Sequence, residues 1–298
     1  MNNLLQLKKD LKKLANPEKA KILQRFFKTG KGEYGEGDVF IGIVVPKLRE
    51  IARKYFTLDL KDVKQLIESK VHEERMIAIF ILVDKYEKTN HKKIVFHFYI
   101  KNIKYINNWD LVDLSAPKIV GRHLYDFDIN STSQLRVSDD AQFSGSSRLL
   151  NSSSKPDGNM SIIYRLASNS IAVNAKKKVS EETMKSIFRK GIRPLDILSL
   201  LAKSENIWER RIAVLATFWF IKNNKFDESL KISEILLSDK HDLIHKAIGW
   251  MLREIGKRDL DVEIGFLNKY SKKMPRTMLR YAIEKFPEKQ RLAYLKNN

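Results

Sequence analysis

The chain has 298 residues, 43% of them hydrophobic, which allows one large or two modest domains with a real core and argues against global disorder. The 56 Lys and Arg against 36 Asp and Glu leave a formal charge of +20, favouring a polyanionic partner, nucleic acid before an acidic membrane. The absence of cysteine excludes disulfides, thiol catalysis and Cys-ligated zinc.

Charge alone has a plainer reading, a surface rich in lysine for no special reason. The elements must therefore carry the argument. Leu4, Leu7, Leu11 and Leu14 recur at three- and four-residue steps among lysines, the pattern of an amphipathic helix and not of a cleavable leader. Asn16 followed by Pro17 predicts a stop and a restart, because Asn caps a helix and Pro suits its first turn. Ile22, Leu23, Phe26 and Phe27 supply the next apolar face.

Gly30, Gly32, Gly35, Gly37 and Gly42 then mark a loop. It lacks the preceding strand and the spacing of a phosphate-cradling loop, so direct phosphate contact there is the minor reading. Helices are predicted at 46–55, 60–69, 72–86, 90–105 and 108–125. They resume at 195–203, 205–223, 226–238, 241–256, 259–270, 274–286 and 287–296. No alternating strand pattern of useful length occurs. The longest apolar run, Ile212 to Ile221, is about half of the roughly 20 residues a membrane span needs. A soluble cytoplasmic protein is expected.

Residues 127–193 break the helical pattern, with 12 serines between 131 and 170. A flexible insertion is expected there, with one short helix from the Ser180 cap to Gly191. Outside it, many helices on short connections predict an all-α stack of helical hairpins, with spacing compatible with HEAT-like repeats of roughly 40 residues. The expected organisation is one repeat domain over 1–298, interrupted by that insertion.

Four segments could carry chemistry. In INNWDLVDLSAPKIVG, Trp109 and Asp113 are four apart and share a helix face, where a carboxylate and an indole can stabilise a cation. On spacing alone the stronger reading is Trp109 as a core indole and Asp113 as a surface or capping acid, and Asp110 points elsewhere and is the better candidate for solvent. In SENIWERRIAVLATFWF, Ser204 and Glu205 mark a helix start. Arg211 lies near the apolar stripe, which requires an anionic partner, either a carboxylate of the protein or a phosphate. Arg210 turns away.

In DLIHKAIGWMLREIGKRD, Lys246, Trp250 and Arg253 fall on one side, and Gly249 leaves room for a close approach. Packing of the indole on the next repeat beside two solvated cations is the alternative. In KKMPRTMLRYAIEKFP, Lys272, Lys273, Arg276 and Arg280 cluster about a helix start at Pro275, an arrangement suited to phosphate. His241 and His245 are four apart but lack a third ligand, so no metal is expected. No cofactor fingerprint or serine elbow is present.

Taken in order, ANPEKA, IGIVVPKLREIARKY, NNWDLVD, IWERR, KAIGWMLRE and KKMPRTMLRYAIEKFP resemble the AlkD-like family of DNA alkylation repair proteins. The likeness covers 1–125 and 194–298. It implies a right-handed superhelix of HEAT-like repeats whose basic concave face holds duplex DNA. It also implies hydrolytic excision of cationic N3- and N7-alkylpurines in base excision repair, without base flipping, by a monomer needing no cofactor. Carried over residue by residue, Trp109 and Trp250 contact the deoxyribose, Asp113 is the catalytic carboxylate, and Arg211 holds a phosphate. Phe26 stands where the family can carry a DNA-contacting tyrosine. A HEAT-like DNA-binding module without catalysis and a protein scaffold are the alternatives.

Overall fold

The computed structural model describes residues 3–129 and 193–296. By Cα proximity the chain divides into two units: Met1–Asp128 with Val179–Asn298, which carries the helical stack, and Ile129–Lys178. The expected short helix at 180–191 and all but the ends of the 127–193 segment lie outside the described residues.

Fourteen helices are described: α1 Asn3–Leu14, α2 Pro17–Phe26, α3 Val45–Lys54, α4 Leu60–Ile67, α5 His72–Lys88, α6 Lys92–Lys101, α7 Trp109–Ser115, α8 Pro194–Ala202, α9 Ile207–Lys222, α10 Asp227–Ile235, α11 Asp242–Gly256, α12 Leu260–Tyr270, α13 Arg276–Ala282 and α14 Glu288–Lys296. The fold is an all-α stack of helical hairpins, and among the described residues the extended pairing amounts to one isolated bridge between Val39 and Val71. The helix starting after Ser204 and Glu205 begins two residues later than expected. Asn206 is its cap, accepting the backbone N–H of Trp208 at 2.9 Å.

Local chemistry sets the ends as expected near the start. Asn16 accepts the N–H of Lys19 at 2.9 Å, and Pro17 opens α2. The apolar face of α2 is narrower than predicted: Phe27 is buried and Leu23 half-buried, whereas Ile22 and Phe26 are 61% and 60% exposed. Those two lie four apart on the neighbouring stripe of the helix, which turns away from the core. The glycine-rich loop has its own anion. The N–H groups of Ile41, Gly42 and Ile43 all donate to the buried carboxylate of Glu73 on α5. Gly42 is required there: its φ is +85°, and a Cβ would strike the Asn16 carbonyl.

Contacts run along one layer, from α3 to α5, α5 to α7, α7 to α9, α9 to α11 and α11 to α13. The central helices α5 and α9 are buried on almost every side, so the apolar run at 212–221 is a core helix. Among the described residues no helix is long and apolar enough to cross a membrane. Two glycines permit close helix contacts. A Cβ on Gly121 would meet the backbone of Ala216, and one on Gly249 would meet the backbone of Met278. What approaches Gly249 is therefore the protein's own α13.

The predicted helix 108–125 is extended and interrupted. After α7 come π-helical turns over Ala116–Gly121 and further helix through 129. Pro117 has no N–H for the carbonyl of Asp113, four residues earlier, so the regular ladder cannot pass this point.

Candidate active site

Helix α7 starts on Asn108, whose side-chain oxygen accepts the N–H of Trp109 at 2.8 Å. One turn later Asp113 faces Arg211 of α9 in a two-pronged pair. Nε donates to Oδ1 and Nη2 to Oδ2, each at 2.8 Å. Nη1 donates to the Leu243 carbonyl at the start of α11, at 2.5 Å. Three layers of the stack thus fix one guanidinium. Of the two anionic partners left open for Arg211, the free protein supplies the carboxylate.

The Arg211 side chain is 6% exposed and that of Asp113 is 20% exposed. Burial pushes the Asp113 carboxyl above its usual value, Arg211 pulls it down, and Asp110 adds to the rise. A carboxylate has about four lone-pair positions, and the fork occupies one on each oxygen. The remaining ones can face a ligand.

Trp109 lies in an aromatic wall. Phe27 stacks on it with centroids 5.2 Å apart, and the exposed Phe26 meets it edge-on at 6.2 Å. Tyr34, from the glycine-rich loop, packs edge-on against Trp208 at 5.9 Å. Sequence reasoning missed Tyr34. Its one signal is that it is the sole aromatic residue between Phe27 and Phe40.

Beneath the wall is a buried charge network, also unforeseen. Asp110 is not in solvent: its carboxylate lies 2.8 Å from Nε2 of His72. Nδ1 of His72 is 3.3 Å from Asp38, which pairs with Arg75 at 2.7 Å and accepts from Asn108 at 3.2 Å. Asp110 is rotated about 100° from Trp109 around the helix, and α5 covers the face it reaches. Arg210 does turn away from the site, donating to Asp239 at 2.7 Å.

The remaining residues singled out by spacing are more dispersed. Trp250 is half-buried. Its N–H donates to Glu254 at 3.2 Å and its ring lies 6.0 Å from that of Phe218. Lys246 pairs with Asp242 at 2.7 Å, and Arg253 is held by Glu284. Lys272, Lys273, Arg276 and Arg280 are exposed around the turn before α13, with Arg276 donating to the Leu295 carbonyl at 3.0 Å. His241 and His245 are committed to the start of α11, through the N–H of Leu243 and the carbonyl of Asp239. Among the described residues no group of three or more His, Asp or Glu could hold a metal ion.

One buried acid lies off this site. Glu263 on α12 is 2% exposed, and its Oε1 has no hydrogen-bond partner. Burial pushes its pKa up to about 8, with Arg253 pulling the other way. The native state therefore holds a proton that the unfolded chain releases near 4.5, so stability falls as pH rises between those values. Glu263→Gln is expected to raise stability at pH 8, by a ceiling on the order of 4 kcal/mol, and to change little near pH 4. Urea unfolding at the two pH values checks this; an equal effect at both would contradict it.

Comparison with known proteins agrees with the helical stack and extends it. A solved structure described as a predicted DNA alkylation repair enzyme from Enterococcus faecalis aligns with a TM-score of 0.54. The alignment has 16% identity and covers 92% of this chain and 97% of that one. At that identity the likeness shows a shared fold. The family profile described as DNA alkylation repair enzyme matches residues 7–144 and 151–286, so the chain belongs to that family. The match runs through most of the serine-rich segment. No curated protein matches the chain in sequence.

Proposed function

We propose that the protein is a DNA glycosylase that hydrolyses the N-glycosidic bond of cationic N3- and N7-alkylpurines in duplex DNA, without base flipping. One observation carries the reading: a half-buried carboxylate, Asp113, clamped by a guanidinium that leaves lone pairs free, in a +20 chain of the DNA alkylation repair enzyme family.

Alkylation makes the purine cationic, so it leaves with the glycosidic electron pair as a neutral base and needs no general acid. The demand falls on the sugar. Asp113 stabilises the positive charge growing at C1′ and orients the water whose oxygen bonds to that carbon. Trp109 and Trp250 contact the deoxyribose through their π faces.

Arg211 acts through Asp113 by holding both oxygens in place. With its donors engaged within the protein, the phosphate contacts fall to exposed cations, Lys272, Lys273, Arg276 and Arg280, with Phe26 at the edge of the wall. Lys246 and Arg253 can join them by exchanging Asp242 and Glu284 for phosphate. The protein acts as a monomer on DNA and uses no cofactor.

Release of 7-methylguanine from methylated duplex DNA tests this. The wild-type protein is expected to release it; a folded protein that binds the duplex but releases nothing would favour the DNA-binding module without catalysis.

A further inference from the structure

The two tryptophans proposed to meet the sugar are held in different ways. Trp109 is stacked on Phe27, with centroids 5.2 Å apart and planes 14° apart. Trp250 meets Phe218 at 6.0 Å with the planes tilted by 40°, a looser contact. Its backbone is nonetheless fixed. The residue before it, Gly249, is pressed against α13, where a Cβ would overlap the Met278 carbonyl and the Cβ of Tyr281. With the main chain set, the freedom left to Trp250 is rotation of the indole about its side-chain torsions.

Glu254 stands one turn further along α11 and shares that face. The indole N–H of Trp250 donates to its Oε1 at 3.2 Å. The Glu254 carboxylate is buried and is itself held from the end of the helix. Lys257 donates to the same oxygen at 2.6 Å. Arg258 lies 3.4 Å from Oε2 and donates to the Glu254 carbonyl at 2.8 Å. Burial pushes the carboxyl up, but Lys257, the Trp250 N–H and Arg258 outweigh it, and the net shift is downward. Glu254 is therefore an ionised acceptor at physiological pH. An indole has a single donor. With that donor turned onto Glu254, Trp250 offers a ligand its carbon edge and π faces, and no N–H.

We infer that Glu254 is a further positioning residue for the reaction: by accepting the Trp250 N–H it sets the plane of that indole and reserves the π face for the sugar. An exposed pair one turn apart on a helix constrains little, because both side chains move in water. Here the acceptor is buried, and an ammonium and an indole N–H converge on one of its oxygens, so the ring is tied to a fixed point. A hydrogen bond to an ionised acceptor is also about twice as strong as a neutral one, which makes it the firmer of the two restraints on the ring. This inference rests on the glycosylase reading, since the sugar is what the oriented indole would meet.

The test is a double-mutant cycle with two readouts. Glu254→Met removes the acceptor at similar size, and Glu254→Gln restores an oxygen that accepts. Single-turnover release of 7-methylguanine at saturating DNA is expected to slow about tenfold in the Met variant and less than about threefold in the Gln variant. Because Glu254 acts through Trp250, the slowing should vanish in a Trp250→Phe background. The second readout needs no DNA. The four tryptophans give four indole resonances in a proton–nitrogen correlation spectrum, and Trp250→Phe identifies its own. That proton should move upfield in Glu254→Met and largely return in Glu254→Gln, with the other three nearly unmoved, which also reports an intact fold. A full-rate Glu254→Met enzyme would overturn the proposal, as would equal slowing in the absence of Trp250 or an indole proton that does not move. If the wild-type protein releases nothing, the glycosylase reading fails and the role in the reaction fails with it; the resonance still decides whether Glu254 holds the indole.

Discussion

Asp113→Asn is expected to lower the single-turnover rate of 7-methylguanine release by about 100- to 1,000-fold, the size of losing one aligned group that stabilises transition-state charge. Asparagine is nearly the same shape, so the site should stay open. Two things change. The negative charge proposed to face C1′ is gone, and the amide nitrogen is a donor facing another donor on Arg211. The second effect costs stability on the order of 1–3 kcal/mol, so the melting temperature must be measured alongside the rate. DNA affinity should change little, since the phosphate contacts proposed above lie elsewhere. The pH dependence has a definite sign. On the proposed mechanism the ionised carboxylate is the active form, so catalysis is expected to be lost as pH falls through the Asp113 pKa. Burial raises that pKa, which puts the acid limb above the usual carboxylate range. A variant that keeps activity within tenfold, while folded, would remove Asp113 from the mechanism.

The pair at the centre of this prediction was half legible in the sequence. Arg211 stood out as a guanidinium beside an apolar stripe, which demanded an anion. Asp113 stood out as an acid one turn from an indole. Their contact was not readable, because it joins residues 98 apart through the packing of α7 on α9. Periodicity reports which face of a helix is apolar; it does not report what covers the other faces. For the same reason Asp110 was assigned to solvent, although α5 places His72 against it. Gly249 signalled a close approach but not that α13 makes it.

The helices themselves were legible nearly throughout, from their apolar spacing and, in six of the fourteen, a side-chain cap. Tyr34 and Asp38 were not. They come from a glycine-rich loop with no period, and such a loop takes its course from distant anchors such as Glu73. The π-helical stretch after α7 was not read from the sequence, where 108–125 is one helix, although Pro117 within it has no N–H for the Asp113 carbonyl.

The largest effect on stability should come from the network under the aromatic wall. Asp38→Ala is expected to destabilise the fold by about 3–5 kcal/mol, because it strands charges that cannot reach water. Arg75 is 3% exposed and His72 2% exposed, and Asp38 is the acid that joins them to Asn108 at the start of α7. Arg75 would keep the carbonyl of Ser69, and His72 would keep Asp110, so the loss is not that of the whole network.

The pH dependence distinguishes this from a simple packing defect. Burial pushes the Asp38 carboxyl up, but His72, Arg75 and Asn108 outweigh it, and the net shift is downward. Its contribution is therefore present above the usual carboxylate range and lost as pH falls through the native value. Burial pushes His72 down, but Asp110 and Asp38 outweigh it, and the net shift is upward from 6.5. Its contribution is complete below 6.5 and lost as pH rises through the native value. The stability gap between wild type and Asp38→Ala should thus be widest at about pH 5.5 and narrower at about pH 8.5. Glu263 also makes wild-type stability fall with rising pH, but it does so equally in both proteins and cancels from the gap. Urea unfolding of the two proteins at both pH values measures it. A gap that is the same at both would mean that His72 is not held charged by Asp38. A gap under about 1 kcal/mol at each would mean that Arg75 finds another anion, and that the first turn of α7 is not held from below by charge.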